Sequence, residues 1–203
     1  MGGAFTSSFG NLATENDKKR MYSVYRKSCF VMNSLAFICC AGFIACIQDF
    51  IYIVFGSNFV LSFSCVLILV FSMLIYLLDI PIISVQNAMG LHRCDAGVMI
   101  IQAVLAIACG YGAGKVWGME GILLGLTIPT VIFTFIHKGI VISKVAFEVT
   151  SYKYLKDMGS DLIKGIVIIG VISAICNCIP AWNPVIAMIL KGILSVIISG
   201  ILI

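Results

Sequence analysis

Five polar side chains lie within or beside long apolar runs of this chain, where ionisable and amide groups are costly and mark functional sites by default. They are Asp79, Gln86, Asn87, Arg93 and Lys191. Asp79 precedes Pro81, and with the two amides it would line a polar entrance, because an interrupted helix is tolerated only against protein or water. A cation held among apolar helices attracts phosphate groups. We therefore take these five residues as candidate substrate-binding residues.

Each of these residues also has a purely structural interpretation. Asp79 would mark a helix end at Pro81, and Arg93 would only fix the orientation of a cytoplasmic turn. Lys191 lies seven residues after Pro184, which is about 10 Å into the membrane, so its ammonium group can snorkel back to the surface. The sequence leaves both interpretations open.

The sequence contains no recognisable set of catalytic residues. The motifs of serine hydrolases, zinc proteases, P-loops and dinucleotide-binding loops do not occur. The two histidines, His92 and His137, fall at predicted ends of spans, where a snorkelling side chain is the simpler interpretation. Nine cysteines are scattered through apolar runs without a C-x-x-C pair, which indicates buried thiols. We expect no enzyme, no cofactor, no metal site and no disulfide framework.

The elements that position these residues follow from an extreme composition. Apolar residues make up 61% of the 203 positions and charged residues 11%, whereas soluble domains average roughly 45–50% and about 25%. Uncharged runs long enough to cross a bilayer replace a water-soluble core. The net charge of +4 comes without a basic and aromatic patch, so no nucleic-acid partner is expected. We predict an all-α, polytopic transmembrane helix bundle of about six spans, surrounded by membrane lipid.

Gaps between charged residues and turn signals place the spans. The predicted spans are 28–48, 60–78, 96–114, 118–136 and two within 165–203. Turns are expected at 56–58 (GSN), at the glycines of 110–114 and at the proline-rich stretch 180–184. The predicted regions are a cytoplasmic N-terminal segment (1–28), a four-span part (29–137), a cytoplasmic amphipathic loop (138–164) and two further spans (165–203).

The distribution of lysines and arginines predicts the orientation of the bundle. With the N-terminus in the cytoplasm, eleven basic residues lie inside and only Lys115 lies outside, with Lys191 within the last span. The eleven are Lys18, Lys19, Arg20, Arg26, Lys27, Arg93, Lys138, Lys144, Lys153, Lys156 and Lys164. Since cytoplasmic loops of membrane proteins carry such an excess, we expect a multi-pass protein with a cytoplasmic N-terminus.

Four short segments follow one another along the chain: 10–15 (GNLATE), 50–56 (FIYIVFG), 86–91 (QNAMGL) with Asp95, and 118–127 (GMEGILLGLT). In this order they resemble segments of Wzx-type flippases for the repeat units of O-antigen and capsule polysaccharides. These flippases belong to the superfamily of multidrug, oligosaccharidyl-lipid and polysaccharide exporters, which place two bundles of six helices around a central cavity. The resemblance covers only the C-terminal half of that pattern.

The resemblance implies a function in the bacterial cytoplasmic membrane. Oligosaccharide linked to polyprenyl pyrophosphate would be turned from the cytoplasmic to the outer leaflet by alternating access. Because the resemblance covers one bundle, we expect the N-terminal bundle to be a missing partner, encoded separately or upstream of Met1, or replaced by a second copy of this chain.

Two other functions remain as alternatives. A drug exporter driven by ion antiport, from the same superfamily, usually requires an acidic residue deep in a span, and Asp49 and Asp79 are predicted to lie at span ends. A multi-pass partner protein without transport activity is the second alternative. Convergence of the charged residues on one cavity would distinguish a transporter from such a partner.

Overall fold

The computed structural model describes residues 9–12, 17–91, 96–147, 149–177 and 184–202. These residues are almost entirely helical, and no strand occurs among them, which confirms the predicted all-α fold. The helices are α1 (Lys18–Phe55), α2 (Phe63–Met89), α3 (Ala96–Pro129), α4 (Gly139–Phe147), α5 (Ser151–Asn177) and α6 (Pro184–Leu202). A π-helical segment, Thr130–Lys138, joins α3 to α4.

Four helical segments are long and apolar enough to cross a membrane. They are Lys18–Phe55, Phe63–Met89, Ala96–Phe147 and Ser151–Ile175, and Val185–Ile201 is a shorter apolar helix. Large apolar side chains also cover the outside of the bundle, such as Ile107 and Ile201, which are 71% and 78% exposed. Such a surface is suited to hydrocarbon and not to water. These features are those of a multi-pass membrane protein.

The longest of these segments doubles back at Gly118, where φ is 61°. Glycine adopts this left-handed conformation without steric penalty, which explains the residue at the turn. If the two arms are counted separately and the shorter helix is added, the described bundle has six apolar helices, which matches the predicted number of spans. The turn was predicted at 110–114, and that position is wrong. The glycines there belong to the first arm, where Gly110 and Gly114 face Ile122 of the second arm.

The two arms of α3 approach each other closely because small residues lie between them. A methyl group added at Gly125 would lie 2.5 Å from the carbonyl carbon of Cys109, whereas one added at Gly112 would have no neighbour within 4 Å. We expect Gly125→Ala to lower the free energy of unfolding in mixed micelles by about 2 kcal/mol. Gly112→Ala is the matched control and should leave it unchanged or raise it, since alanine favours helix. Equal effects of both substitutions would contradict this packing.

The link between α1 and α2 is a short turn, as the sequence predicts. Gly56 has a φ of 89°, and a 3-10 turn follows at Ser57–Phe59. Ser62 then caps α2, because its hydroxyl accepts a hydrogen bond from the amide of Cys65 at 3.2 Å. The side-chain amide of Gln48 on α1 also donates to the carbonyl of Leu61 at 2.8 Å, which fixes the end of the link against α1.

Two helices extend beyond their predicted ends. Helix α2 continues through Pro81 to Met89, so Asp79 lies inside the helix and not at its end. Proline removes one backbone hydrogen bond, but Pro81 is buried, and packing on neighbouring helices compensates for such a loss in membrane proteins. The predicted loop 138–164 is also helical in its described residues, apart from 149–150, because α4 and the start of α5 occupy it.

The core of the bundle lies among α1, α2 and α5. Phe37, Leu74 and Ile172 are almost fully buried there, and Gly165 of α5 lets the ring of Phe37 approach its backbone. Helices α1 and α5 start at the same end of the bundle, which we call the basic end because Lys18 lies there; the end of α1 at Phe55 is the opposite end. Helix α6 packs antiparallel along α1.

Candidate functional site

A buried ion pair joins α2 to the end of the π-helical segment. The ammonium nitrogen of Lys138 lies 3.3 Å from Oδ2 of Asp79, and the two side chains are 6% and 1% exposed. Asp79 lies ten residues before the end of α2 at Met89, which is about 15 Å along the helix axis. Ionisable residues this far inside an apolar helix are rare in membrane proteins and mark functional positions.

Two further contacts hold the second arm of α3 beside α2. The hydroxyl of Ser62 donates to the carboxylate of Glu120 at 2.7 Å, and the hydroxyls of Ser72 and Thr127 lie 2.5 Å apart. Together with the Asp79–Lys138 pair, these contacts repeat along the two parallel helices from one end of the bundle towards the other. The ion pair is therefore one end of a polar seam, and it is the part shielded most from the surroundings.

The other predicted site residues near Asp79 differ in their exposure. Gln86 is buried at 3% exposure and lies two helical turns after Asp79, on the same face of α2. Asn87 is exposed. Arg93 lies outside the described residues. Asp79 and Gln86 thus lie together within the bundle, while Asn87 does not accompany them.

Lys191 forms a second ion pair, with Asp49, near the opposite end of the bundle. Its ammonium nitrogen lies 2.7 Å from Oδ2 of Asp49, and the side chains are 14% and 17% exposed. The ammonium group therefore binds a carboxylate on α1 and does not snorkel outward. Small residues let α1 and α6 meet here, since Gly42 lies against Ser195 and Gly192 against Cys46.

A third group of charges, which we call the α1–α5 cluster, lies near the basic end. Arg26 donates to Asp161 at 2.9 Å, and the same carboxylate oxygen accepts from the amide of Asn33 at 3.0 Å. Tyr22 donates to Asp157 at 2.5 Å. The members of the cluster line a small cavity of about 10 Å³, the space of a single water molecule.

The structure does not bring the predicted site residues to one place. Asp79 and Gln86 lie towards the basic end, and Lys191 lies near the opposite end with Asp49. The residues that sequence analysis missed are the partners: Lys138, Asp49, Asp157 and Asp161. The sequence contained one signal for these partners. Charges of both signs occur within its apolar stretches, and a buried charge requires a partner of opposite sign. No group of three or more potential metal ligands occurs among the described residues.

Comparisons of this chain with protein-family models, with curated proteins and with solved structures find no match.

Proposed function

We propose that this chain forms one helix bundle of a flippase that moves oligosaccharide linked to polyprenyl pyrophosphate across the bacterial cytoplasmic membrane. The observation that carries the proposal is the order of the four segments that resemble Wzx-type flippases, spread over residues 10–127. Three of them fall at helix ends or turns: 50–56 ends α1, 86–91 ends α2, and 118–127 begins the second arm of α3. Such positions are where a transporter bends or closes.

The ion pairs support a transport role over a purely structural one. Both the Asp79–Lys138 pair and the Asp49–Lys191 pair lie between helices of an apolar bundle, where a charge without a function is seldom retained. The Asp79–Lys138 pair lies inside the bundle and the Asp49–Lys191 pair lies nearer the end of α1 at Phe55, as would suit contacts that open and close in turn. Alternating access needs a second body that rocks against this one, and we propose that a separate N-terminal bundle supplies it, or less simply a second copy of the chain.

The positive-inside rule supports a cytoplasmic position for the basic end. Lys18, Lys153 and Lys156 lie there, whereas the opposite end carries Lys115. In this orientation the α1–α5 cluster faces the leaflet in which the lipid-linked oligosaccharide is made, and the Asp49–Lys191 pair faces the leaflet to which it is delivered.

Complementation of a strain that lacks its flippase tests this function. The chain expressed alone should leave surface polysaccharide absent, because one bundle exposes to lipid the face that would line a cavity. Co-expression with the N-terminal half of a Wzx-type flippase should restore surface polysaccharide and remove the accumulated lipid-linked oligosaccharide. Restoration by the chain alone would instead show that two copies transport.

Ion-driven drug export is the second candidate. The position of Asp79 inside α2 favours this function, whereas the sequence analysis placed Asp79 at the end of a span. A carboxylate inside a helix and beside a lysine is the kind of group that binds and releases protons in transporters. Everted vesicles from the same strains separate the two candidates. Ethidium uptake that depends on an ion gradient, without any change in surface polysaccharide, would favour drug export.

A further inference from the structure

The hairpin formed by the two arms of α3 is attached loosely to the rest of the described bundle. Its buried residues are few, and no large apolar side chain is among them: Gly110, Gly121, Gly125, Thr127 and Pro129. The three glycines lie between the two arms and not against other helices. The hairpin therefore keeps its own shape through the contact of its arms, while few buried apolar contacts fix it to the bundle.

A groove of about 430 Å³ lies between the second arm of this hairpin and α2. Leu67 and Phe71 of α2 line one side of the groove, and Leu124 and Ile128 of the second arm line the other. Closely packed helices leave few voids larger than a water molecule. The apolar side chains of the two helices therefore do not interlock along this stretch.

Two hydrogen bonds of the polar seam hold the hairpin beside α2. The hydroxyls of Ser72 and Thr127 lie 2.5 Å apart, and the hydroxyl of Ser62 donates to Glu120 at 2.7 Å, close to the turn at Gly118. Each such bond makes a modest net contribution to stability, because its groups also find partners when it breaks. Both contacts can therefore open without unfolding either helix.

The chain changes from loose to tight packing within the π-helical segment. Ile128, just before the segment, is 53% exposed, whereas Phe135 inside it is 5% exposed, and Lys138 at its end is held by Asp79. Pro129 at its start donates no backbone hydrogen bond, which weakens the helix at this point. Turns of π-helix are rare and occur frequently at functional sites. The segment thus has the properties of a hinge whose far end is anchored on α2.

We propose that the α3 hairpin is a flap that turns as one body about the π-helical segment, and that the contacts of Ser62 and Ser72 are its latch. In the closed arrangement, which the structure shows, the second arm lies along α2. In the open arrangement both latch contacts are broken, the Asp79–Lys138 pair is kept, and the groove widens towards the lipid. This motion does not depend on which substrate the protein transports.

Distances between pairs of spin labels, measured by pulsed electron paramagnetic resonance on the full chain in lipid nanodiscs, test the flap. An unnatural amino acid carries each label, so the native cysteines stay in place. One label replaces Tyr76 of α2, and the other replaces either Val116, near the turn of the hairpin, or Val145 of α4; all three side chains are exposed. The Tyr76–Val116 pair should give two distances, and the Tyr76–Val145 pair should give one.

Ser72→Ala should raise the population of the second Tyr76–Val116 distance about fivefold, because it removes one of the two latch contacts. Ser84→Ala is the matched control and should leave this population unchanged. Both serines lie on α2 and donate to the backbone carbonyl four residues earlier, but only Ser72 also meets a hydroxyl of the hairpin within the described part of the chain. Circular dichroism will verify that both variants keep their helix content.

Three results would overturn the flap. The Tyr76–Val116 pair could give a single distance in both the unmodified chain and Ser72→Ala, which would show a fixed hairpin. Ser84→Ala could shift the population as much as Ser72→Ala, which would exclude the latch. The Tyr76–Val145 pair could show two distances as well, which would mean that α4 moves too and that the π-helical segment is not the hinge.

Discussion

Replacing Lys138 with methionine should lower the free energy of unfolding by about 3–5 kcal/mol. The substitution removes the cation that lies 3.3 Å from Asp79, whose carboxylate is only 1% exposed. Attraction between the charges is strong in such surroundings because little water screens it. The loss is measured by titrating the purified chain with sodium dodecyl sulfate in mixed micelles and following helix content by circular dichroism.

A second substitution distinguishes the ion pair from simple packing at this position. Adding Asp79→Leu to Lys138→Met should recover most of the lost stability, since an apolar pair of similar volume often replaces a buried ion pair without loss. Lys144→Met on α4 is the control, because Lys144 is exposed, and it should change stability by less than about 0.5 kcal/mol. If Lys138→Met behaved like Lys144→Met, the buried pair would not contribute to the fold.

Replacing Lys191 with methionine should lower the free energy of unfolding by about 3 kcal/mol. The side chains of Lys191 and Asp49 are less deeply buried than those of Lys138 and Asp79. The expected loss therefore lies at the lower end of the range of about 3–5 kcal/mol expected for Lys138→Met. The pair joins α1 to α6, the two described helices with the most extensive contact. Loss of the charge should therefore loosen α6 first, before α2 and α5 separate.

The exchanged pair, Asp49→Lys with Lys191→Asp, tests whether the attraction itself matters. It should regain at least half of the stability that either single substitution loses, and a double-mutant cycle gives the coupling energy. Lys115→Met provides the control, because Lys115 is an exposed lysine at the same end, lying over the ring of Tyr111. Additive losses in the cycle would mean that the two groups do not interact.

The number of apolar helices could be predicted from the sequence because each membrane span requires its own apolar stretch of sufficient length. The turn at Gly56 was also predictable, since glycine, serine and asparagine interrupt an apolar run there. Gly118 was missed as a turn because the glycines of 110–114 look equally suited to one. Only the packing of the two arms shows that the latter glycines, apart from Gly112, face the neighbouring arm.

The pairing of charges could not be predicted from the sequence in the same way. Asp79 and Lys138 are 59 residues apart, and Asp49 and Lys191 are 142 residues apart. Helical periodicity shows which residues share a face of one helix but not which faces meet. Pro81 added to the difficulty, because proline usually ends a helix, and here the surrounding helices carry α2 past it.

The contact between α1 and α6 also sets the timing of assembly during synthesis. The thiol of Cys46 donates a hydrogen bond to the carbonyl of Met188, and the ammonium group of Lys191 donates one to Asp49, each across 142 residues of sequence. At about 5–20 residues per second, a ribosome needs roughly 7 to 28 s to synthesise that interval. For this time Asp49 is in place without Lys191, and the face of α1 around Gly42 has lipid beside it. Closure of the contact between α1 and α6 therefore waits until α6 has been synthesised, and slow codons in the stretch that encodes α6 would delay it further.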